Sequence, residues 1–239
     1  MSSTQIVRDL AALANPERAL HSAGYFKTGK GQYGEGDIFL GVAVPALRKV
    51  ALRYKTLPLT GVSRLLQSRI HEHRLAALEI LVAQYERAAQ AQQQIIFDFY
   101  LKNTKRMNNW DLVDTAAPYI VGVHLKSRPR TILHTLAKSE NVWERRIAIV
   151  STLGLIKTGE VRETFCIAVM LLGDKYDLIH KAVGWALREA GKKSPERLLR
   201  FLEKHYSVIP RTALRYAIER FDPASRKRLL AGQFDLKPG

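Results

Sequence analysis

Cysteine is almost missing from this chain, whose single thiol is Cys166, inside the apolar run Thr164-Phe-Cys-Ile-Ala-Val-Met-Leu-Leu. One thiol allows no intrachain disulfide and no thiolate cluster for zinc, and it fits a reducing compartment. Acidic residues are short as well: 22 Asp and Glu face 38 Lys and Arg, for a net charge of +16 and a pI near 10.1. Strand signals are nearly absent. No uncharged run approaches the ~18 residues needed to span a bilayer, and the opening Met-Ser-Ser-Thr-Gln-Ile-Val-Arg-Asp-Leu lacks the apolar stretch of a secretion signal. A soluble cytoplasmic protein is the expectation.

What is present is an ordinary globular composition, 46% hydrophobic and 25% charged, which excludes a disordered chain. Its 239 residues suffice for one large domain, and a single domain over 1–239 is expected. The excess positive charge points to a polyanion as partner. It is also uneven: residues 1–120 hold 15 basic and 10 acidic side chains, residues 121–239 hold 23 and 12.

Apolar residues recur at three and four positions, as in Leu75, Leu78, Ile80, Leu81 and in Leu198, Leu199, Leu202, which reads as an all-α chain. Pro16 after Asn15, Pro195 after Ser194 and Pro223 after Asp222 each put a capping side chain before a proline at the first helical position. From about residue 72 a repeat is visible. Second-helix starts fall near 72, 109, 141, 175 and 210, a period belonging to stacked helical pairs. The expected architecture is a superhelical stack, an α-solenoid, with a concave basic groove.

One stretch breaks the pattern, Thr28-Gly-Lys-Gly-Gln-Tyr-Gly-Glu-Gly-Asp37, with four glycines and no apolar face. It is a loop or a hairpin. It matches neither phosphate-cradling glycine spacing, so Lys27, Lys30 and Tyr33 are read as DNA contacts instead.

In the repeat register Asp114, Arg146, Lys181 and Arg215 are equivalent positions, separated by 32, 35 and 34 residues, and are expected to line one face. The three tryptophans, Trp110, Trp143 and Trp185, fall on the same set of helices. Trp143 reads as core. Trp110 and Asp114 are one turn apart on one face, and Lys181, Trp185 and Arg188 form a second stripe at i, i+4 and i+7. An indole, a carboxylate and flanking cations suit one chemistry on DNA. A purine alkylated at N3 or N7 is already cationic and leaves readily; the barrier is the cationic sugar that develops, which an aromatic face and a carboxylate stabilise. Arg146 and its row would hold phosphates. His71 and His73, flanking Glu72, lack the i, i+4 spacing of helical zinc sites and read as helix-surface residues. Nuclease-like carboxylate clusters are also missing, so neither metal nor cofactor is expected.

At these residues the sequence resembles the AlkD-like DNA glycosylases, the HEAT-like repeat family of DNA alkylation repair proteins. The resemblance rests on Asn109-Trp-Asp-Leu-Val-Asp114, Asn141-Val-Trp-Glu-Arg-Arg146 and Lys181-Ala-Val-Gly-Trp-Ala-Leu-Arg-Glu189, with weaker matches at Gly24-Tyr-Phe-Lys27 and Phe39-Leu-Gly-Val-Ala-Val-Pro45. It implies HEAT-like repeats and a cleft of Trp110, Asp114, Arg146 and Trp185, with Tyr25 at its edge. It also implies excision of 3-methyladenine and 7-methylguanine without metal or cofactor. Taken together, the expected DNA contacts are Tyr25, Lys27, Lys30, Arg145, Arg146, Lys181, Arg188 and Arg215, in a monomer that meets the nucleoid through DNA. Segment 28–37 departs from the compact family pattern, and an added hairpin in the family goes with binding of branched DNA without excision. Three functions therefore stay open: alkylpurine glycosylase, non-catalytic binder of branched or distorted DNA, and a HEAT-like scaffold for an acidic protein.

Overall fold

The computed structural model describes residues 2–234, and every regular element among them is helical. By contact the chain divides into two compact units at residue 120. The first contains α1 (Ser3–Ala11), α2 (Pro16–Tyr25), α3 (Val44–Arg53), α4 (Leu59–Leu66), α5 (His71–Arg87), α6 (Gln90–Lys102) and α7 (Trp110–Ala116). The second contains α8 (Thr131–Ala137), α9 (Val142–Ile156), α10 (Arg162–Leu171), α11 (Asp177–Lys193), α12 (Pro195–His205), α13 (Arg211–Ala217) and α14 (Pro223–Leu230). The expected starts near 72, 109, 141, 175 and 210 correspond to α5, α7, α9, α11 and α13, beginning at 71, 110, 142, 177 and 211.

The proline signals have local causes. Asn15 accepts a hydrogen bond from the Arg18 N–H, and Asp222 from those of Ala224 and Ser225, so both cap the helix that the following proline starts. Ser194 occupies the same position but makes no side-chain cap bond. There the proline alone sets the start.

In the first unit α5 is central, packing against α1, α3, α4, α6 and α7. A helix covered on several sides loses its polar face, and Leu75, Leu78, Ile80 and Leu81 are all buried, each contributing roughly 1.5–3 kcal/mol by leaving water. Its polar first turn is buried too: His71, Glu72, His73 and Arg74 are each at most 5% exposed. The two histidines are therefore interior, not surface, residues. The cause is long-range, because the segment after the glycine-rich stretch folds over the start of α5. Ile38 N–H donates to the Arg69 carbonyl and His71 N–H to that of Ile38, a single strand-like bridge. Both Glu72 carboxylate oxygens are used as well, accepting the N–H groups of Leu40, Gly41 and Val42 at 2.9, 2.7 and 3.3 Å.

In the second unit α9 packs on α8, α10 and α11, and α11 on α12 and α13. Trp143 is buried, as expected for core. Gly184 lets α11 and α13 approach, since a Cβ there would lie 2.5 Å from the Ala213 carbonyl oxygen and the Tyr216 Cβ. No described helix is long and apolar enough to cross a membrane.

Candidate functional site

The indole and carboxylate that the sequence pairs sit on α7, a helix of seven residues. Asn109 starts it, its Oδ1 accepting the Trp110 N–H at 2.9 Å while its Nδ2 donates to the Phe26 carbonyl at 3.4 Å. Asp111 lies in the first turn, where a carboxylate favours the positive end of the helix dipole. Pro118 follows within two residues of the last and opens a π-type turn, Pro118–Gly122. Leu112, Val113 and Ala116 are buried and root the helix, leaving Trp110 and Asp114 half-buried one turn apart.

Trp110 is held by aromatic packing. Its ring stacks on Phe26 at 5.4 Å and 22°, and meets the exposed Tyr25 edge-on at 6.0 Å. Phe26 in turn stacks on Phe39 at 5.2 Å. The two weaker sequence matches, 24–27 and 39–45, thus meet the strongest one. Below Asp114 lies Tyr100, fully buried, with no hydrogen-bond partner for its hydroxyl. Burial first, and the Asp114 charge second, push the Tyr100 phenol above its ordinary range.

Beneath this layer runs a buried ionic chain. Asp37 accepts from Arg74 at 2.6 Å, from Asn108 at 2.8 Å and from His71 Nδ1 at 3.2 Å; His71 Nε2 reaches Asp111 at 2.7 Å. Both ring nitrogens face carboxylates, so both donate and the ring is an imidazolium. Burial alone would lower the His71 pKa, but the bonds to Asp111 and Asp37 outweigh it and carry it up to about 9. Burial would likewise raise Asp37, yet His71, Arg74 and Asn108 hold its carboxyl below the usual range. His73 behaves oppositely: burial lowers its pKa, and its Nδ1 shares a hydrogen bond of 2.9 Å with the Ser68 hydroxyl.

The glycine-rich stretch, expected as a loop or a hairpin, is a loop of successive turns. Gly34 is buried against the chain preceding it: its N–H donates to the Lys27 carbonyl, and a Cβ there would lie 2.5 Å from the Phe26 carbonyl oxygen. Lys27 adopts a left-handed backbone, φ 55°, the sole non-glycine among the described residues to do so. Lys27 and Lys30 are exposed and Tyr33 is half-buried.

The second unit places its expected contacts unequally. Arg146, expected to hold phosphate, is buried on α9, and its Nη1 donates to the Leu178 carbonyl at 2.6 Å. Arg145 is committed inward too. It binds the buried Asp174 carboxylate at 2.6 Å, donates to the Ser139 and Glu140 carbonyls and lies over the Tyr176 ring at 5.6 Å. Lys181, half-exposed on α11, pairs with Asp177 at 2.8 Å. Arg188, at the far end of the same stripe, is engaged by Glu189 and Glu219. Trp185 is half-buried between them, and Arg215 on α13 is exposed, without an ion pair among the described residues. The register that made these positions equivalent set their sequence spacing but not their burial.

Sequence reasoning passed over Phe26, Phe39, Asp37, Arg74 and Asn108 and set His71 on a helix surface. Two signals pointed to them: Phe26 and Phe39 lie inside the weaker matches, and His71-Glu72-His73-Arg74 puts four polar side chains at the start of the longest helix of the first unit. Among the described residues no group of three or more His, Cys, Asp or Glu could hold a metal.

Known proteins relate to this chain as follows. A search of curated proteins returns no match. Among solved structures, a predicted DNA alkylation repair enzyme from Enterococcus faecalis has a similar fold, with a TM-score of 0.66 at 19% identity, over 88% of this chain and 97% of that one. The model of the family described as DNA alkylation repair enzyme matches residues 6–221, from α1 to the end of the segment following α13, so the chain belongs to that family.

Proposed function

We propose that this protein is a DNA glycosylase that excises cationic alkylated purines, 3-methyladenine and 7-methylguanine, from duplex DNA. The observation that carries the reading is α7: a half-buried indole, backed by Phe26 and edged by exposed Tyr25, with a carboxylate one turn away above a fully buried phenol. Such a place is partly dry and negatively charged, which favours a developing sugar cation over the neutral ground state of the sugar. The bond from C1′ to the purine nitrogen breaks, and its electron pair neutralises the departing base. Water adds to C1′ and gives its proton to the Asp114 carboxylate. Within the second unit, half-buried Trp185 offers an aromatic face of its own, and Lys181 and Arg215 offer phosphate contacts. The protein acts as a monomer on cytoplasmic, nucleoid DNA and asks no cofactor of its surroundings. A branched-DNA binder would use segment 28–37 as a projecting arm, whereas Gly34 and Asp37 tie that segment down.

The test is release of 7-methylguanine from methylated duplex under single-turnover conditions. Wild type should release it, and Asp114→Asn should abolish release while leaving duplex affinity nearly unchanged. No release by wild type would end the enzymatic reading.

A further inference from the structure

A polar cavity of about 300 Å³ opens in the first unit, outside the residues discussed so far as DNA contacts, between the end of the glycine-rich loop, the start of α5 and the turn before α7. Arg69, Lys105 and Arg106 stand around it, all exposed and none in an ion pair among the described residues. Arg74 forms part of its wall, its guanidinium fixed by Asp37, Asn108 and the Ser68 carbonyl. Two acids also line it. Asp37 is neutralised by its three donors, and Glu35 is turned to the loop, accepting the Gly31 N–H at 2.8 Å. Four cations against two occupied carboxylates leave the cavity positive.

We propose that this cavity is an anion site that seats one backbone phosphate of bound DNA, with Arg69, Lys105 and Arg106 as its ligands. The inference rests on the DNA-binding part of the reading above and not on excision. Three unpaired cations converging on one concave polar site match the compact charge of a phosphodiester, to which arginine donates in a planar fork. The seat is also coupled to the indole helix. Asn108 lines the cavity one residue before the cap of α7, and Arg74, Asp37, His71 and Asp111 form an unbroken chain of hydrogen bonds from cavity wall to helix. A phosphate held here fixes the register of the strand relative to Trp110, the task of backbone contacts in general.

The experiment uses the full chain and an unmodified duplex, measuring affinity across a salt series. The variant Arg69→Gln/Lys105→Gln/Arg106→Gln is compared with Lys55→Gln/Arg87→Gln, which removes two exposed cations beside a different, apolar cavity. The first should flatten the log–log salt slope by about 0.9, the value of one lost phosphate contact, and the second should change it less. Equal slopes in the two variants overturn the site. All three side chains are exposed, so melting should be unchanged; Arg106→Gln alone reads the same effect at smaller amplitude. In parallel, inorganic phosphate should shift the backbone amide resonances of Arg69 and Asn108 in wild type, and duplex should displace it. Phosphate that duplex does not displace overturns the assignment to DNA. Excision is scored separately: wild-type excision with no slope change refutes the seat alone, and a slope change without excision refutes the glycosylase reading alone.

Discussion

His71 and Asp111 share a hydrogen bond of 2.7 Å across 40 residues of sequence, joining the start of α5 to the first turn of α7. The helix that carries Trp110 and Asp114 is thereby moored to the most buried helix of its unit by a charge rather than by apolar packing alone.

That mooring titrates. The folded pKa of His71, about 9, lies above its unfolded value of 6.5, so the folded state binds the extra proton between the two. The stabilisation is fully present below pH 6.5 and is lost as pH rises through 9, on the order of 3 kcal/mol by the linkage relation. Melting temperature measured from pH 6 to 10 should fall across this window. In His71→Gln the fall should be much smaller, with a lower starting stability.

Gly34 is required for space. Gly34→Ala should destabilise by about 1–3 kcal/mol, because the added methyl meets the fixed Phe26 carbonyl oxygen at 2.5 Å. Gly29→Ala, whose Cβ meets only the movable Gln32 side chain, should stay within about 0.5 kcal/mol. Urea unfolding of the two variants gives the comparison. Loosening the turn should also shift tryptophan emission, since Phe26 backs Trp110.

Two arginines of the second unit should separate by assay. Arg145→Ala leaves the buried Asp174 carboxylate uncompensated and should cost about 3 kcal/mol of stability. Arg215→Ala should leave stability within about 0.5 kcal/mol yet flatten the salt dependence of duplex binding by about 1. Denaturation and salt-series binding on both variants decide it; an Arg145→Ala protein of wild-type stability would contradict the ion pair.

These residues also mark how far sequence reasoning reaches. Helix starts were legible to within two residues because caps, prolines and apolar period are local, and the indole–carboxylate pair was legible because i, i+4 spacing implies one face. Burial of charge was not. Arg145 and Arg146 are neighbours in sequence with the composition of a DNA contact, and what turns them inward is Asp174 and the Leu178 carbonyl, 29 and 32 residues away. His71 read as surface for the same reason: the Asp37 and Ile38 that cover it lie more than 30 residues away, and nothing in the neighbourhood of 71 announces them.

Asp37 closes the glycine-rich segment and also neutralises two cations of α5. A relative that dispensed with the segment would leave Arg74 as buried, uncompensated charge and His71 with the Asp111 carboxylate alone, so the two features should be inherited as a set. Across the family, shortening of this loop is expected to coincide with replacement of that histidine or arginine, or with an acid arriving from another element.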